Sequence, residues 1–530
     1  MEEEFVFKRA MSLGTGTAEN DGEFLSECFV ETPEFQTLLD FSDHKMILLG
    51  RTGSGKTALL KEMEQHVEVY VQIRPDTFAM QYVSNIPFIA RLADCGVNLE
   101  IFYKFLWLHE IMSKTIKHYF DYNKKNFISR FCENRDNRGR VEQMQKYFRE
   151  NGDVFFEKHS AEQITATIQS EVEAKTGFSP ASISGRLSES EKRELQVAAS
   201  EFINTTQISQ LKNIITLLRE YLSKNKQKQI CVVIDDLDQN WAASNTKYQI
   251  LSALLDTIRF FADMPCMKIV LAMRSDLLAK TCEMTNRQNE KDNSFTLKLN
   301  WTKTMLLDLM NKRVQFLFSH KYQKSYKPSF GEIFVPEING CETADYLISR
   351  TMMRPRDIIT LVNYCIEKSD EKTIIDEQAI TIAEREFMHN RIDALKAEWN
   401  SLYPAIEAII NLVYLIPPSF EIKDLVAKYK DIESALFRTS KEEDPLVKMF
   451  LYQTGDNAFG REQNCKELMR VWFSIGLIGK REEGQIIYSE ASRDHLDERD
   501  FLDADGFEVH PLFSNKRGNE NESATLRHPF

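Results

Sequence analysis

The chain has 530 residues, 42% apolar and 28% charged, the composition of an ordinary globular protein long enough for two to four domains. Collagen-like, mucin-like and wholly disordered chains are excluded. The 67 Lys and Arg against 80 Asp and Glu leave a net charge of −13, so general attraction to nucleic acid or anionic lipid is not built into the whole surface, although a local basic patch is compatible with it.

In chain order, residues 1–44 are mixed polar and aromatic, with Gly14 and Gly16 marking a turn. Residues 45–49 form a short apolar run stopped by Gly50, the pattern of a buried strand, and 57–65 follow as a helix. Val67, Val69, Val71 and Ile73 alternate with polar neighbours as in a half-exposed strand, which Arg74-Pro75-Asp76 ends. From 85 to 225 the pattern turns helical. Ile101, Phe105, Leu108 and Ile111 recur at helical spacing, as do Ile208, Leu211, Ile214 and Leu218, with a Ser/Pro/Gly-rich break at 177–185. Strand character returns at 230–234, 268–273 and 295–299, separated by a helix over 248–264 and followed by another over 302–318. Strands separated by helices predict a parallel sheet covered on both faces. Residues 340–400 are helical, 401–513 read as a small helical domain ending in a hairpin-rich piece, and 515–530 are polar enough to predict disorder.

The chemistry concentrates at Gly50-Arg51-Thr52-Gly53-Ser54-Gly55-Lys56-Thr57, which fits the phosphate-loop pattern G-x-x-x-x-G-K-[ST] with an apolar strand before it and a helix after it. Glycines let the backbone wrap closely, so that successive N–H groups face phosphate oxygens, and the helix amino terminus adds its positive dipole end. On this reading Lys56 meets the β- and γ-phosphates of ATP and the Thr57 hydroxyl ligates Mg²⁺. A second half follows at 230–238, an apolar strand ending in Asp235, Asp236 and Asp238. Asp235 is the expected Mg²⁺ acid, and Asp236 is expected to polarise the attacking water. Aspartate is one methylene shorter than the glutamate common at that place, which predicts slow turnover.

From these motifs onward the chain resembles the AAA+/STAND/KAP superfamily of ATPases. Arg274, at the end of the 268–273 strand, is similar to the strand-end arginine of STAND-type and KAP-type ATPases that reports the γ-phosphate. Residues 295–301 and the helix after them resemble their final strand and exit helix. Arg354-Pro355-Arg356-Asp357 resembles the N-P-R lid motif, in which an arginine at a helix start reaches back to the nucleotide; Arg356 is the better match and Arg354 the second. The resemblance spans about 18–400. It departs from a standard AAA+ module in the spacing between Lys56 and Asp235, 179 residues (235 − 56). KAP ATPases also carry a long insertion there, often with membrane helices, whereas here no segment approaches 18 uncharged apolar residues.

The implied fold class is α/β: a P-loop NTPase parallel sheet with a long helical insertion, a helical lid and a C-terminal winged-helix-like domain. The boundaries are 1–84 and 226–320 for the ATPase core, 85–225 for the insertion, 321–400 for the lid, 401–513 for the C-terminal domain and 514–530 for the tail. Origin-recognition-type initiators share the winged helix, and soluble bacterial ATPases near mobile elements and anti-phage defence genes share the motif order, including the His510-Pro511 pair. The resemblance therefore implies a Mg²⁺- and ATP-dependent switch that forms homo-oligomers and acts on a protein effector. The alternative is a nucleic-acid-binding, initiator-like or DNA-sensing ATPase.

Charge bears on that choice. Residues 461–510 carry seven Lys/Arg against twelve Asp/Glu, an acidic balance that suits a protein contact better than phosphate neutralisation. The one basic patch interleaved with aromatics is Lys124, Lys125, Phe127, Arg130, Phe131, Arg135, Arg138 and Arg140. It would grip nucleic acid by charge and stacking, and a solvated loop is the blander reading. Nine scattered cysteines without a C-x-x-C pair, and an acidic amino terminus without an apolar signal core, predict a cytoplasmic location without membrane attachment. Histidine spacing supports no zinc site.

Overall fold

The structure, a computed structural model, describes residues 5–74, 99–119, 188–202, 209–224, 229–237, 244–288, 290–322, 327–439, 441–452, 458–489 and 496–514, with isolated positions between 170 and 177. The basic patch at 124–140, Asp238, most of the 177–185 break and the tail from 515 lie outside the described residues. The chain divides into two compact units. One comprises Glu31–Arg51 and Lys56–Leu299, the other Met1–Val30, Thr52–Gly55 and Asn300–Phe530.

The first unit is mixed α/β. Its sheet has five strands, β1 (Ile47–Leu49), β2 (Val69–Ile73), β3 (Ile230–Ile234), β4 (Met267–Met273) and β5 (Thr296–Lys298), in the order β2-β3-β4-β1-β5 with every pairing parallel. β1, β3 and β4 are buried along their whole length, as befits inner strands covered on both faces. Its longer helices among the described residues are α1 (Pro33–Leu39), α2 (Lys56–His66), α3 (Glu100–Tyr119), α4 (Glu189–Phe202), α5 (Ser209–Lys224), α6 (Ser244–Ile258) and α7 (Ser275–Thr285). α3 shares one apolar core with the strands through Phe102, Phe105, Leu106 and Trp107, and the Trp107 indole N–H donates to the Ile250 carbonyl of α6 at 3.0 Å. One charge is buried inside β4: Lys268 donates to the carbonyls of Thr37 and Asp40 at 2.8 and 2.7 Å, which stabilises the carboxyl end of α1.

Register sets what reaches the carboxyl edge of this sheet. Leu49 lies opposite Met273, Ile234 opposite Leu271 and Ile73 opposite Ile234. The next residue of each strand therefore emerges at the same edge: Gly50, Arg274, Asp235 and Arg74. Ligands of open parallel sheets bind outside this edge.

The second unit holds α8 (Lys303–Tyr322), the ribbon β6 (Glu337–Ile338) and β7 (Cys341–Glu342), α9 (Thr343–Ser349), α10 (Pro355–Glu367) and α11 (Glu377–Trp399). Pro355 occupies the first helical position of α10, where its missing N–H costs nothing. The Asp376 carboxylate accepts from Ala379 N at 2.9 Å and caps α11. The amino-terminal segment is fastened to this unit: Leu13 N donates to Asn363 Oδ1, Asn363 Nδ2 donates to Gly14 O, and buried Arg313 pairs with Asp21.

Beyond α11, helices from Ile406–Asn411 to Ala458–Ile475 accompany a four-stranded antiparallel sheet of β8 (Ser419–Phe420), β9 (Ile478–Glu482), β10 (Gln485–Tyr488) and β11 (Gly506–Val509), in the order β10-β9-β11-β8. The β9–β10 hairpin turns on Glu483 and Gly484, both with positive φ, the form that matches strand twist. His510, following β11, is buried; its Nε2 bonds to the Thr351 carbonyl at 3.1 Å and its Nδ1 accepts from Leu512 N at 3.2 Å. Among the described residues no helix is long and apolar enough to cross a membrane.

Candidate functional site

The loop 50–57 leaves β1 at the carboxyl edge of the sheet. Gly50 N donates to the Met273 carbonyl at 3.3 Å, fastening the start of the loop to the end of β4. Lys56 opens α2 and folds back, donating to the carbonyls of Gly50 at 2.9 Å and Arg51 at 3.0 Å. Thr57 Oγ1 donates to Asp235 Oδ2 at 3.0 Å, so the hydroxyl and the carboxylate expected to share a cation are in direct contact. Asp235 is buried, and its Oδ1 accepts from Asp236 N at 2.9 Å.

Asp236 stands in the left-handed backbone region at φ 61, a conformation aspartate tolerates better than most residues. Its carboxylate lies 3.7 Å from Arg74 Nε. Arg74 is a neighbour that the motif reading does not single out, although a lone arginine at the end of β2 was visible in the sequence. Arg274 is engaged on two prongs by Asp276, Nε to Oδ1 at 2.9 Å and Nη2 to Oδ2 at 2.6 Å.

The loop tip, Thr52–Gly55, groups with the second unit. Three successive carbonyls there are taken by three donors: Thr52 O by Arg354 Nη1 at 3.0 Å, Gly53 O by Arg356 N at 3.4 Å and Ser54 O by the Trp301 indole N–H at 2.7 Å. In a trans peptide the C=O and the following N–H point opposite ways. Holding the carbonyls of 52, 53 and 54 against these groups therefore turns the N–H groups of Gly53, Ser54 and Gly55 to the other side of the loop. Consecutive N–H groups on one side form the concavity that binds anions. Gly53 and Gly55 have φ of 77 and 95, which glycine adopts without strain. Ser54 Oγ is buried without a hydrogen-bond partner.

Arg356 and Arg354 are engaged differently in this structure. The Arg356 side chain lies against Gly53 and donates from Nε to the Gly16 carbonyl at 2.9 Å. Arg354 is buried and belongs to a charge group that the motif reading misses, with Glu398, Arg391 and Asp357. Glu398 Oε1 accepts from Thr52 Oγ1 at 3.2 Å. Thus Gly50, Arg51, Lys56, Thr57, Asp235, Asp236 and Arg274 are gathered in the sheet unit, and Thr52, Gly53, Ser54, Gly55, Arg354 and Arg356 in the other.

Comparison with known proteins adds two likenesses. The family model described as the FunZ-associated C-terminal helical domain matches residues 304–396, a stretch that runs from α8 into α11 and includes Arg354, Arg356 and Arg391. Over 532 residues the chain is 20% identical to the putative transposon gamma-delta 80.3 kDa protein of Escherichia coli (strain K12), covering 96% of this chain and 67% of that protein.

Proposed function

We propose that the protein is a P-loop ATPase switch of the AAA+/STAND/KAP kind, binding ATP with Mg²⁺ at the loop 50–57 and turning it over slowly. The observation that carries this reading is the loop tip: three pinned carbonyls leave the N–H groups of 53–55 facing away from their anchors, and an array of backbone N–H groups recognises phosphate. The buried, unpartnered Ser54 hydroxyl and the oxygen donors of Thr57 and Asp235 fit a polyphosphate and a hard divalent cation respectively.

Each residue then has a stated task. Lys56 exchanges the loop carbonyls for β- and γ-phosphate oxygens. Thr57 and Asp235 hold Mg²⁺, which neutralises phosphate charge when bound. Asp236 accepts the proton of the attacking water, with the Arg74 guanidinium 3.7 Å away. Arg274 reads the γ-phosphate; for Arg356 or Arg354 to do so as well, as the resemblance implies, its guanidinium must leave the Gly16 or Thr52 carbonyl that it holds here. The strand order and the β9–β10 hairpin are compatible with a P-loop core and a winged-helix-like domain. A homo-oligomer and a protein effector, in a defence or mobile-element setting, complete the switch by resemblance.

The decisive experiment measures affinity for fluorescent mant-ATP and turnover of ATP. Lys56→Ala is expected to lose nucleotide affinity, and Asp236→Asn to lose turnover while still binding. Binding at wild-type strength by Lys56→Ala would refute the assignment of the loop.

A second reading, action on DNA, is favoured by the basic, aromatic-interleaved run at 124–140. It expects ATP turnover to rise with DNA and the effect to fall steeply with salt. Turnover indifferent to DNA across a salt series would remove it.

A further inference from the structure

The inference concerns Glu398 and rests on the nucleotide reading of the loop. Glu398 lies in the last turn of α11, far along the chain from any recognised motif. Thr52 is tied to this region twice, its hydroxyl donating to Glu398 Oε1 at 3.2 Å and its carbonyl accepting from Arg354 Nη1 at 3.0 Å. The other Glu398 oxygen lies 3.8 Å from Arg354 Nη1 and 3.6 Å from Arg391 Nη2, and Arg391 Nη1 lies 3.4 Å from Asp357 Oδ1. The side chains of these four residues are no more than 6% exposed. The two positive and two negative charges balance.

Packing alone does not account for such a group. Four buried charges are costly to desolvate, and apolar residues of the same volume would join α10 to α11 as well or better. Apolar residues could not hold the Thr52 hydroxyl or fix a guanidinium beneath the Thr52 carbonyl. We propose that Glu398 is a positioning residue for the phosphate ligand. By holding the Thr52 side chain and the Arg354 guanidinium together, it fixes the 52–53 peptide with its N–H toward the ligand. The loop is thereby organised before the ligand arrives, which spares binding the cost of ordering it.

The test is a double-mutant cycle read by mant-ADP affinity in the presence of Mg²⁺, with melting temperatures recorded alongside. Thr52→Val keeps the shape and removes the donor, and is expected to weaken binding roughly three- to tenfold. Thr52→Ser keeps the hydroxyl and is expected to stay within about twofold of wild type. Glu398→Met removes the acceptor and is expected to weaken binding, and combining it with Thr52→Val to add little more, because both remove the same hydrogen bond. Equal affinities for the Val and Ser variants, or losses that multiply in the double variant, would overturn the proposal. If Glu398→Met does not fold, the comparison of Val with Ser decides alone. Failure of the nucleotide reading looks different: the wild type would bind no mant-ADP, or Lys56→Ala would bind it normally.

Discussion

Gly53 and Gly55 are both left-handed, yet their surroundings differ. A Cβ on Gly53 would lie 2.9 Å from Arg356 Cβ, close to the root of that side chain, whereas one on Gly55 would meet nothing nearer than the Trp301 ring at 3.7 Å. Gly55→Ala should therefore cost only the backbone penalty, about 1–2 kcal/mol. Gly53→Ala should cost more, since Arg356 must also move, and should loosen its bond to the Gly16 carbonyl. Urea midpoints of the two variants check the order. His510 is a second single-residue case. Replacing it by alanine leaves the Thr351 carbonyl and the Leu512 N–H without their partner and should cost about 1–3 kcal/mol for each group left unsatisfied, measurable by the same titration.

At the scale of elements, the contact of α10 with α11 carries the buried charges. Arg391→Leu would remove the guanidinium that Asp357 and Glu398 share and leave two buried carboxylates against the single charge of Arg354, and should destabilise the protein by about 3–5 kcal/mol, read by urea unfolding. Both helices were legible in the sequence, because 340–400 is helical in pattern and the resemblance of 354–357 to the N-P-R motif puts a helix start there. The charge group was not: Arg391 and Glu398 each look like solvent-facing positions until the helix crossing buries them. β1 and β3 were legible because buried apolar runs end in glycine or acid, and β2 because apolar and polar residues alternate along it; the boundaries of all five strands differ from the sequence reading by no more than two residues. Their order was not, since crossovers leave no mark on local periodicity. β8 and β11, of two and four residues, are too short for any period to declare itself. The loop 50–57 and Asp235 could be read because the motif is contiguous, whereas Trp301, Arg74 and Glu398 owe their places at or near it to tertiary packing alone.

Across the whole molecule, each unit contains a buried imidazole. Burial lowers the pKa of His109 to about 3 and that of His510 to about 4, the latter despite its bond to Thr351. An unfolded histidine takes up its proton near pH 6.5. Between that pH and the folded values the unfolded chain holds more protons, so stability is full above about pH 6.5 and is lost as pH falls toward 4. Melting temperatures should decline over that window, and a His510→Gln variant should show a shallower decline than wild type.

The position of β1 has a consequence for synthesis. This strand pairs on one side with residues 271–273 and on the other with 296–298. A nascent chain that has emerged only through α5 contains the whole loop 50–57 but neither neighbour of the strand that carries it. At about 5–20 residues per second, the ribosome takes on the order of 12–50 s after completing β1 to supply both. Through that interval an apolar strand stands with both edges open, the condition under which chains pair wrongly. Chaperone dependence during translation, and poor solubility of fragments truncated before residue 296, follow from where three residues sit in one sheet.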